Sequence, residues 1–365
     1  MFDVAVVGGG PAGCAAAIVV ARAGGRVVVL ERSGYGTARI GETVPPDIRV
    51  PLDRLGVWKR FCTDGHTPSP GIIAAWGRSE PYANDFILNP HGSGWRLDRR
   101  RFDEMLASAA ENAGAVVCRR TDAVACAWEP SGGWRLFTQG DEGQPTPVVS
   151  APCLIDAAGR GRSLRRQLGA HQVTHDRLVS CVRFMFPVSN EDPGDQRALI
   201  EATEHGWWYS ARLPDRSLVL VFQTDAGPGI RARWPEHLAR APFTAARAEG
   251  MRDGELRLVA ANSQRRVPVA TPTWLSVGDA AAAHDPITGL GVYWALQSGL
   301  AAGEALVSRT GGDVSAVPAY ARAVGEAYDR YLTQRVAYYR AEQRWPGSQF
   351  WRRRHTVSGP PAGIC

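Results

Sequence analysis

The chain has 365 residues, 44% apolar and 21% charged, which is enough for a full core and more than one domain and unlike a disordered segment. Its net charge of +6 rests on arginine, because Lys59 is the one lysine; the arginines are spread without a nucleic-acid-binding motif, so nucleic acid is not an expected partner. Seven cysteines with no C-x-x-C pair, and His171 and His175 spaced i, i+4 without nearby acids or cysteines at ligand spacing, argue against a metal site or redox pair, and free, mostly buried thiols are expected.

Residues 2–7 form a valine-rich apolar run that stops at three glycines, residues 12–23 read as a helix of small residues, and residues 26–30 are again apolar and β-branched. That is a βαβ opening. Residues 98–113 have helical periodicity with Phe102, Leu106 and Ala109 on one face, and they lead into a strand at 115–118. A hairpin is expected from 123–128 and 134–138, and a buried strand at 153–157. Between 173 and 258 the runs 178–186, 207–213 and 218–224 alternate aromatic and β-branched residues, which predicts a second, mainly antiparallel sheet. One more strand is expected at 274–279, a helix at 292–308, and a long amphipathic helical region at 317–350 with a flexible Gly/Pro end. No apolar run approaches the roughly 18–20 residues of a membrane span, and the first motif leaves no room for a signal peptide. The expectation is a cytoplasmic protein with no membrane contact.

Gly8-x-Gly10-x-x-Gly13 sits between the first strand and the first helix, and Glu31 ends the next strand. In such a fingerprint Gly8 permits the tight turn, Gly10 lets a pyrophosphate approach the backbone, and Gly13 permits close helix packing; the helix N-terminus offers free N–H groups and partial positive charge. Glu31 is placed to bind ribose hydroxyls. This turn alone does not distinguish NAD from FAD.

Three later segments bear on that choice. They are Asp98-Arg99-x-x-Phe102-Asp103, then Ile155-Asp156-Ala157-Ala158-Gly159 with Ser163 and Arg165, and then Val277-Gly278-Asp279-Ala280-Ala281 with Asp285-Pro286-x-x-Gly289-x-Gly291. In this order they resemble the fold family of para-hydroxybenzoate hydroxylase and the flavin-dependent halogenases, over essentially the whole chain. The resemblance implies FAD as cofactor, with Asp279 on a ribityl hydroxyl and Arg99 reaching the pyrophosphate region. It also implies Pro286, Gly289 and Gly291 presenting backbone N–H groups to the flavin, where negative charge on the reduced ring is stabilised. The cofactor-binding set expected is Gly8, Gly10, Ala12, Gly13, Glu31, Arg32, Arg39, Arg99, Val124, Asp279, Pro286, Gly289 and Gly291.

The expected fold class is α/β. A Rossmann-type FAD-binding domain comprises residues 1–70, 98–172 and 262–315; an inserted, mainly antiparallel substrate-binding sheet comprises 71–97 and 173–261; and 316–365 form a C-terminal helical region and tail.

Arg39-Ile40-Gly41-Glu42-Thr43-Val44-Pro45-Pro46 resembles the G-E-x-x-x-P loop that lies along the flavin in halogenases, which places Arg39 and Glu42 beside the isoalloxazine. Residues 206–214 only partly match the halogenase W-x-W-x-I-P strand; Trp207 and Tyr209 are candidates for the substrate pocket and equally for inter-sheet core. The lysine that directs hypohalous acid in halogenases has no counterpart in residues 71–77, and Lys59 comes too early. Hydroxylation is therefore expected ahead of halogenation, with an aromatic ring attacking a flavin C4a-hydroperoxide.

Tyr339-x-x-Glu342-x-Arg344-Trp345-Pro346-x-Ser348-x-Phe350-Trp351-x-Arg353-Arg354 most resembles the flavoprotein monooxygenases that mature quinone-cofactor amine and amino-acid oxidases by hydroxylating a tryptophan in a partner polypeptide. That implies tryptophan, free or in a peptide or protein, as the aromatic substrate, and O2 as co-substrate. Electrons would come from NAD(P)H directly or through a separate flavin reductase, since no second dinucleotide fingerprint is present. His284 is a candidate catalytic base with Glu42, and as readily a packing residue. Halogenation, dehydrogenation and a non-catalytic maturation or docking role remain the alternatives.

Overall fold

The computed structural model describes residues 2–130, 132–144, 147–161, 164–188 and 194–356. The strands Val4–Val7, Val27–Glu31, Val116–Arg119, Cys153–Asp156 and Trp274–Ser276 form one parallel sheet. Val27–Glu31 is apolar at four successive positions and buried throughout, as a strand covered on both faces must be. Alternation divides the side chains. Val4, Val6, Val27 and Val29 join the core beneath the helices, whereas Ala5, Val7, Val28 and Leu30 join a second core under the antiparallel sheet built on Asp122–Glu129 and Gly133–Gln139.

Two helices meet on the helical side. Pro11–Arg22 follows the first strand, and Gly291–Thr310 packs against it with almost no side-chain layer between. A Cβ on Gly299 would lie 2.2 Å from the Ala12 carbonyl oxygen, and one on Gly303 would lie 2.7 Å from Val19 Cβ. The run of small residues in both helices is what allows this approach.

The seven-stranded second sheet has the order Met251–Ala260, Leu178–Pro187, Leu218–Asp225, Gly206–Arg212, Ala198–Thr203, Gly71–Ala75, Tyr82–Asp85. It is antiparallel except where Gly71–Ala75 runs parallel to Ala198–Thr203. Trp208, Leu218, Leu220 and Phe222 pack on one face against Trp234. Trp207, Tyr209, Ala211, Val219 and Val221 belong to cores on the other face.

Two strands of this sheet escaped the sequence reading. Ala198–Thr203 is too small-residued to stand out, and Met251–Ala260 is an edge strand whose charged, half-exposed residues hide its apolar face. Gly94–Arg96, expected with the inserted sheet, pairs instead with Thr43–Val44 and Thr67–Ser69 in a small separate sheet.

At the C-terminus the expected helical stretch is broken. Helix Ala316–Arg340 ends at Ala341, Pro346 and Gly347 interrupt the chain, and a single turn forms at Gln349–Arg352. Ser163, Cys365 and the Gly/Pro end from 357 lie outside the described residues, and the other six cysteines are free. Among the described residues no helix is long and apolar enough to cross a membrane, and no cluster of metal-ligating side chains occurs.

Candidate functional site

The carboxyl ends of the parallel strands converge where the strand order reverses, on either side of Val4–Val7, the usual place for a ligand in such a sheet. Gly8 has φ +106°, and a Cβ there would sit 2.3 Å from the Ala157 carbonyl oxygen; a Cβ on Gly13 would sit 2.0 Å from the Gly8 oxygen. Gly10 differs from both, because nothing lies within 4 Å of the position its Cβ would take. The first helix starts there with Pro11, without a side-chain cap, so the N–H groups of Ala12 and Gly13 face open space. Two glycines thus close the turn and one leaves a hollow at a helix N-terminus, which fits a pyrophosphate.

Glu31 is buried at the end of its strand and heavily bonded. Its Oε2 accepts from the Gly9 N–H at 2.8 Å, and its Oε1 accepts from the Ser33 N–H, the Ser33 hydroxyl and Arg39. Although burial opposes ionisation, the Ser33 bonds and the Arg39 charge hold the carboxyl below its ordinary range. A ribose diol would share or replace those Ser33 bonds. Arg32 is exposed next to it, and Val124 is exposed on Asp122–Glu129 in the separate antiparallel sheet.

Arg39 and Arg99 are joined through Asp103, which is buried and absent from the expected set. Arg39 lies 3.1 Å from Asp103 and 3.0 Å from Glu31; Arg99 lies 3.1 Å from Asp103 and also donates to the Ile40 and Gly41 carbonyls. Arg39 is therefore held at the ribose-acid end. Glu42, three residues on, acts on Tyr209.

Glu42 is 3% exposed. Its Oε2 accepts from the Gly41 N–H, while its Oε1 has no partner, and burial pushes its carboxyl up from 4.5 to about 7. Tyr209 faces it, with its hydroxyl 2.6 Å from Thr43 Oγ1. Trp207, two residues earlier, is buried, and its indole N–H donates to the Tyr339 hydroxyl.

Asp279 follows Gly278, whose φ of +57° turns the chain out of the last parallel strand. The carboxylate is half-buried and pairs with Arg160 at 3.1 Å. Arg160 also donates to the carbonyls of Asn262 and His284, so one guanidinium ties three segments at this edge. Neither Arg160 nor its role was marked by a motif. Gly278 packs against Ala12 and Ala295, which brings the Asp279 turn between the two helices.

Pro286, Gly289 and Gly291 are exposed, and Gly289 has φ +63°. Gly291 begins the second helix with no side-chain cap. Its N-terminus stands about 12 Å of helix before the contact between Gly299 and Ala12. A phosphate-binding turn, a half-exposed carboxylate and a second open helix N-terminus thus lie along one edge, an arrangement that fits an extended flavin dinucleotide.

Asp285 anchors that last turn from below. It is fully buried; its carboxylate accepts from the Ile287 N–H at 3.0 Å, the Tyr339 hydroxyl at 2.9 Å and Arg335 at 3.0 Å, and its own N–H donates to the Tyr331 hydroxyl. Three of these partners come from the long C-terminal helix. His284 stacks on Tyr331 with ring centroids 4.2 Å apart, and burial aided by the Arg160 charge lowers its imidazole to about 3. It is neutral at physiological pH and a weak base.

The tail motif is a clasp across strand ends of the large sheet. Glu342 accepts from the Gly77 N–H, Arg344 donates to the Ala75 carbonyl, the Trp351 indole to the Thr203 carbonyl, and Arg353 and Arg354 both pair with Asp225.

Residues 1–321 match the FAD binding domain family model. The chain is 32% identical over 370 residues to the FAD-dependent oxidoreductase LodB of Marinomonas mediterranea, covering 98% of both proteins. It is 24% identical over 370 residues to a tryptophan 2-halogenase of Chondromyces crocatus, covering 95% of this chain and 69% of that protein. The fold matches the peptidyl tryptophan dihydroxylase QhpG with a TM-score of 0.77 at 23% identity, over 97% of this chain and 78% of that one.

Proposed function

Because the chain belongs to the FAD binding domain family and is an FAD-dependent oxidoreductase, we propose that it inserts oxygen into an electron-rich aromatic ring, with tryptophan, free or in a polypeptide, as the first substrate to test. Reduced FAD, when bound, supplies the electrons with which O2 delivers an oxygen atom to such a ring. The chain's own residues bind and orient. The Gly8 to Gly13 turn with Arg99 receives the pyrophosphate, Asp279 fixes the ribityl chain, and the Gly291 helix start faces the end of the flavin with its N–H dipoles.

Among the described residues Glu42 is the carboxyl that acts on Tyr209, and burial brings it up to about 7, where proton exchange at neutral pH is feasible. It can take a proton from the ring as aromaticity returns, or give one to a leaving oxygen. His284, neutral and stacked on Tyr331, is better suited to accept a hydrogen bond than to act as base.

The observation that carries oxygenation over halogenation is the place of the single lysine. Lys59 is exposed on the helix Trp58–Thr63, and the strand Gly71–Ala75 presents only glycine, isoleucine and alanine. No ammonium is available there to hold an oxidised halide. The clasped tail speaks against a docking arm, since Arg344, Trp351, Arg353 and Arg354 are already bonded within the chain.

The reading is supported by relatives of both kinds: the dihydroxylase named above acts on peptidyl tryptophan and the Chondromyces relative on tryptophan with halide. Electrons would come from NAD(P)H or a separate reductase. The test is turnover of tryptophan and tryptophan-containing peptides with FAD, a flavin reductase, O2 and bromide, read by product mass. Added oxygen is expected; a brominated product overturns the reading.

A further inference from the structure

Arg96 has no exposed surface. It stands opposite both Thr43 and Thr67 in the small three-stranded sheet, and cross-strand partners share a face, so its side chain lies on the Thr43 face. Thr43 in turn bonds Tyr209. Only Nη2 of the guanidinium is satisfied, by the Pro68 carbonyl at 3.1 Å and the Gln196 amide oxygen at 3.2 Å. Its Nε and Nη1 are buried without an acceptor, and among the described residues no carboxylate bonds to it.

A second cation deepens the imbalance. Arg247 senses both Arg96 and Tyr209, and it donates only to the Ser210 hydroxyl and to the carbonyls of Ser210, Asp195 and Arg197. Burial pulls Arg247 down to about 10. Asp195, the acid nearest to both, is committed to Arg197. Glu42, which acts on the same Tyr209, keeps an unpartnered Oε1, and burial pushes its carboxyl up to about 7.

Burial disfavours the Arg96 charge, and Asp195 offsets this only at a distance, without a hydrogen bond. A ligand that brings a negative charge would supply what the Arg96 guanidinium lacks. The wall beside it is apolar, with Ile40, Ile72, Phe184 and Val221 around Tyr209.

We propose that Arg96 receives a carboxylate on the aromatic substrate, so that the substrate is an aromatic acid whose ring rests on the Tyr209 face of the sheet. The proposal rests on the aromatic-oxygenase reading above and narrows it. The neutral Gln196 amide oxygen occupies Nη2 in the free chain; a carboxylate displacing it would gain Nη2 together with the unpartnered Nη1, the end-on fork that a guanidinium offers. Arg247 adds long-range attraction.

The experiment titrates the FAD-loaded protein with indole-3-propionate and with indole-3-propionamide, near-isosteres in which a carboxylate is replaced by a neutral amide, and reads binding by calorimetry and by the visible flavin spectrum. Tighter binding of the acid by about tenfold or more is expected in the wild type. The preference should fall to near one in Arg96→Gln and survive in part in Arg96→Lys. Equal binding of acid and amide by the wild type, or an undiminished preference in Arg96→Gln, overturns the proposal. If Arg96→Gln does not fold with FAD, the wild-type ratio and Arg96→Lys still decide. Turnover separates the two claims: acid preference without oxygenation removes the oxygenase reading and keeps the Arg96 site, whereas equal oxygenation of acid and amide does the reverse.

Discussion

The Arg335 guanidinium lies 3.0 Å from the Asp285 carboxylate in the interior of the chain, joining the long C-terminal helix to the turn that precedes helix Gly291–Thr310. The other Asp285 oxygen holds the Ile287 N–H, so the charge that anchors the C-terminal helix also shapes the Pro286 to Gly289 turn. Arg335→Met should leave Asp285 buried and unbalanced and cost about 3–5 kcal/mol of stability. Thermal unfolding with flavin-content analysis checks this; an unchanged melting temperature would show that the pair anchors nothing.

Gly13→Ala should be severe for a different reason. Its methyl group would fall 2.0 Å from a backbone oxygen that cannot swing away. A loss above about 3 kcal/mol and purification without flavin are expected. Gly10→Ala is the contrast: it has room in the free chain, so it should fold normally and fail only in binding FAD, as a flavin-binding titration beside an unfolding curve would reveal.

The βαβ opening, the parallel sheet and the helix at 291–310 were legible because each is announced by buried β-branched runs or by a glycine turn. The G-D segment stood out through its resemblance to a family motif, and the chain does turn there at Gly278. Asp103, Arg160 and Asp285 were not read as site residues, because their importance comes from partners distant in sequence: Arg39, Asp279 and Arg335. Nothing local marks a buried arginine either, so Arg96 passes as one more charge before a helix cap. The tail motif was visible as a pattern, but only the tertiary fold shows that it grips the chain's own sheet.

Asp279→Ala should weaken FAD binding by about tenfold to a hundredfold, the worth of a hydrogen bond to a charged group. Arg160 keeps two carbonyl partners in that variant, so the fold should survive. Fluorescence of released flavin gives the affinity directly. An unaltered dissociation constant would remove Asp279 from the cofactor site.

Glu42 predicts a pH dependence of known sign. Its carboxyl titrates near 7 in the folded chain and near 4.5 when unfolded, so between those values the folded state binds the extra proton. Stability should therefore fall as pH rises from about 4.5 to 7, by up to about 3 kcal/mol, and stay level above that window. Glu42→Gln should remove this decline. Denaturant unfolding at pH 5 and pH 8 for both proteins makes the comparison, and parallel slopes in the two would assign the decline to other groups.

The central claim is that this flavoprotein delivers oxygen, not halogen, to an aromatic ring. Turnover of an indole substrate under isotopically heavy O2, with bromide present and a flavin reductase supplying electrons, tests it most directly by mass spectrometry. The account predicts a product that carries the heavy oxygen label and no bromine. A brominated product, or an oxygenated one whose oxygen comes from water, would contradict it.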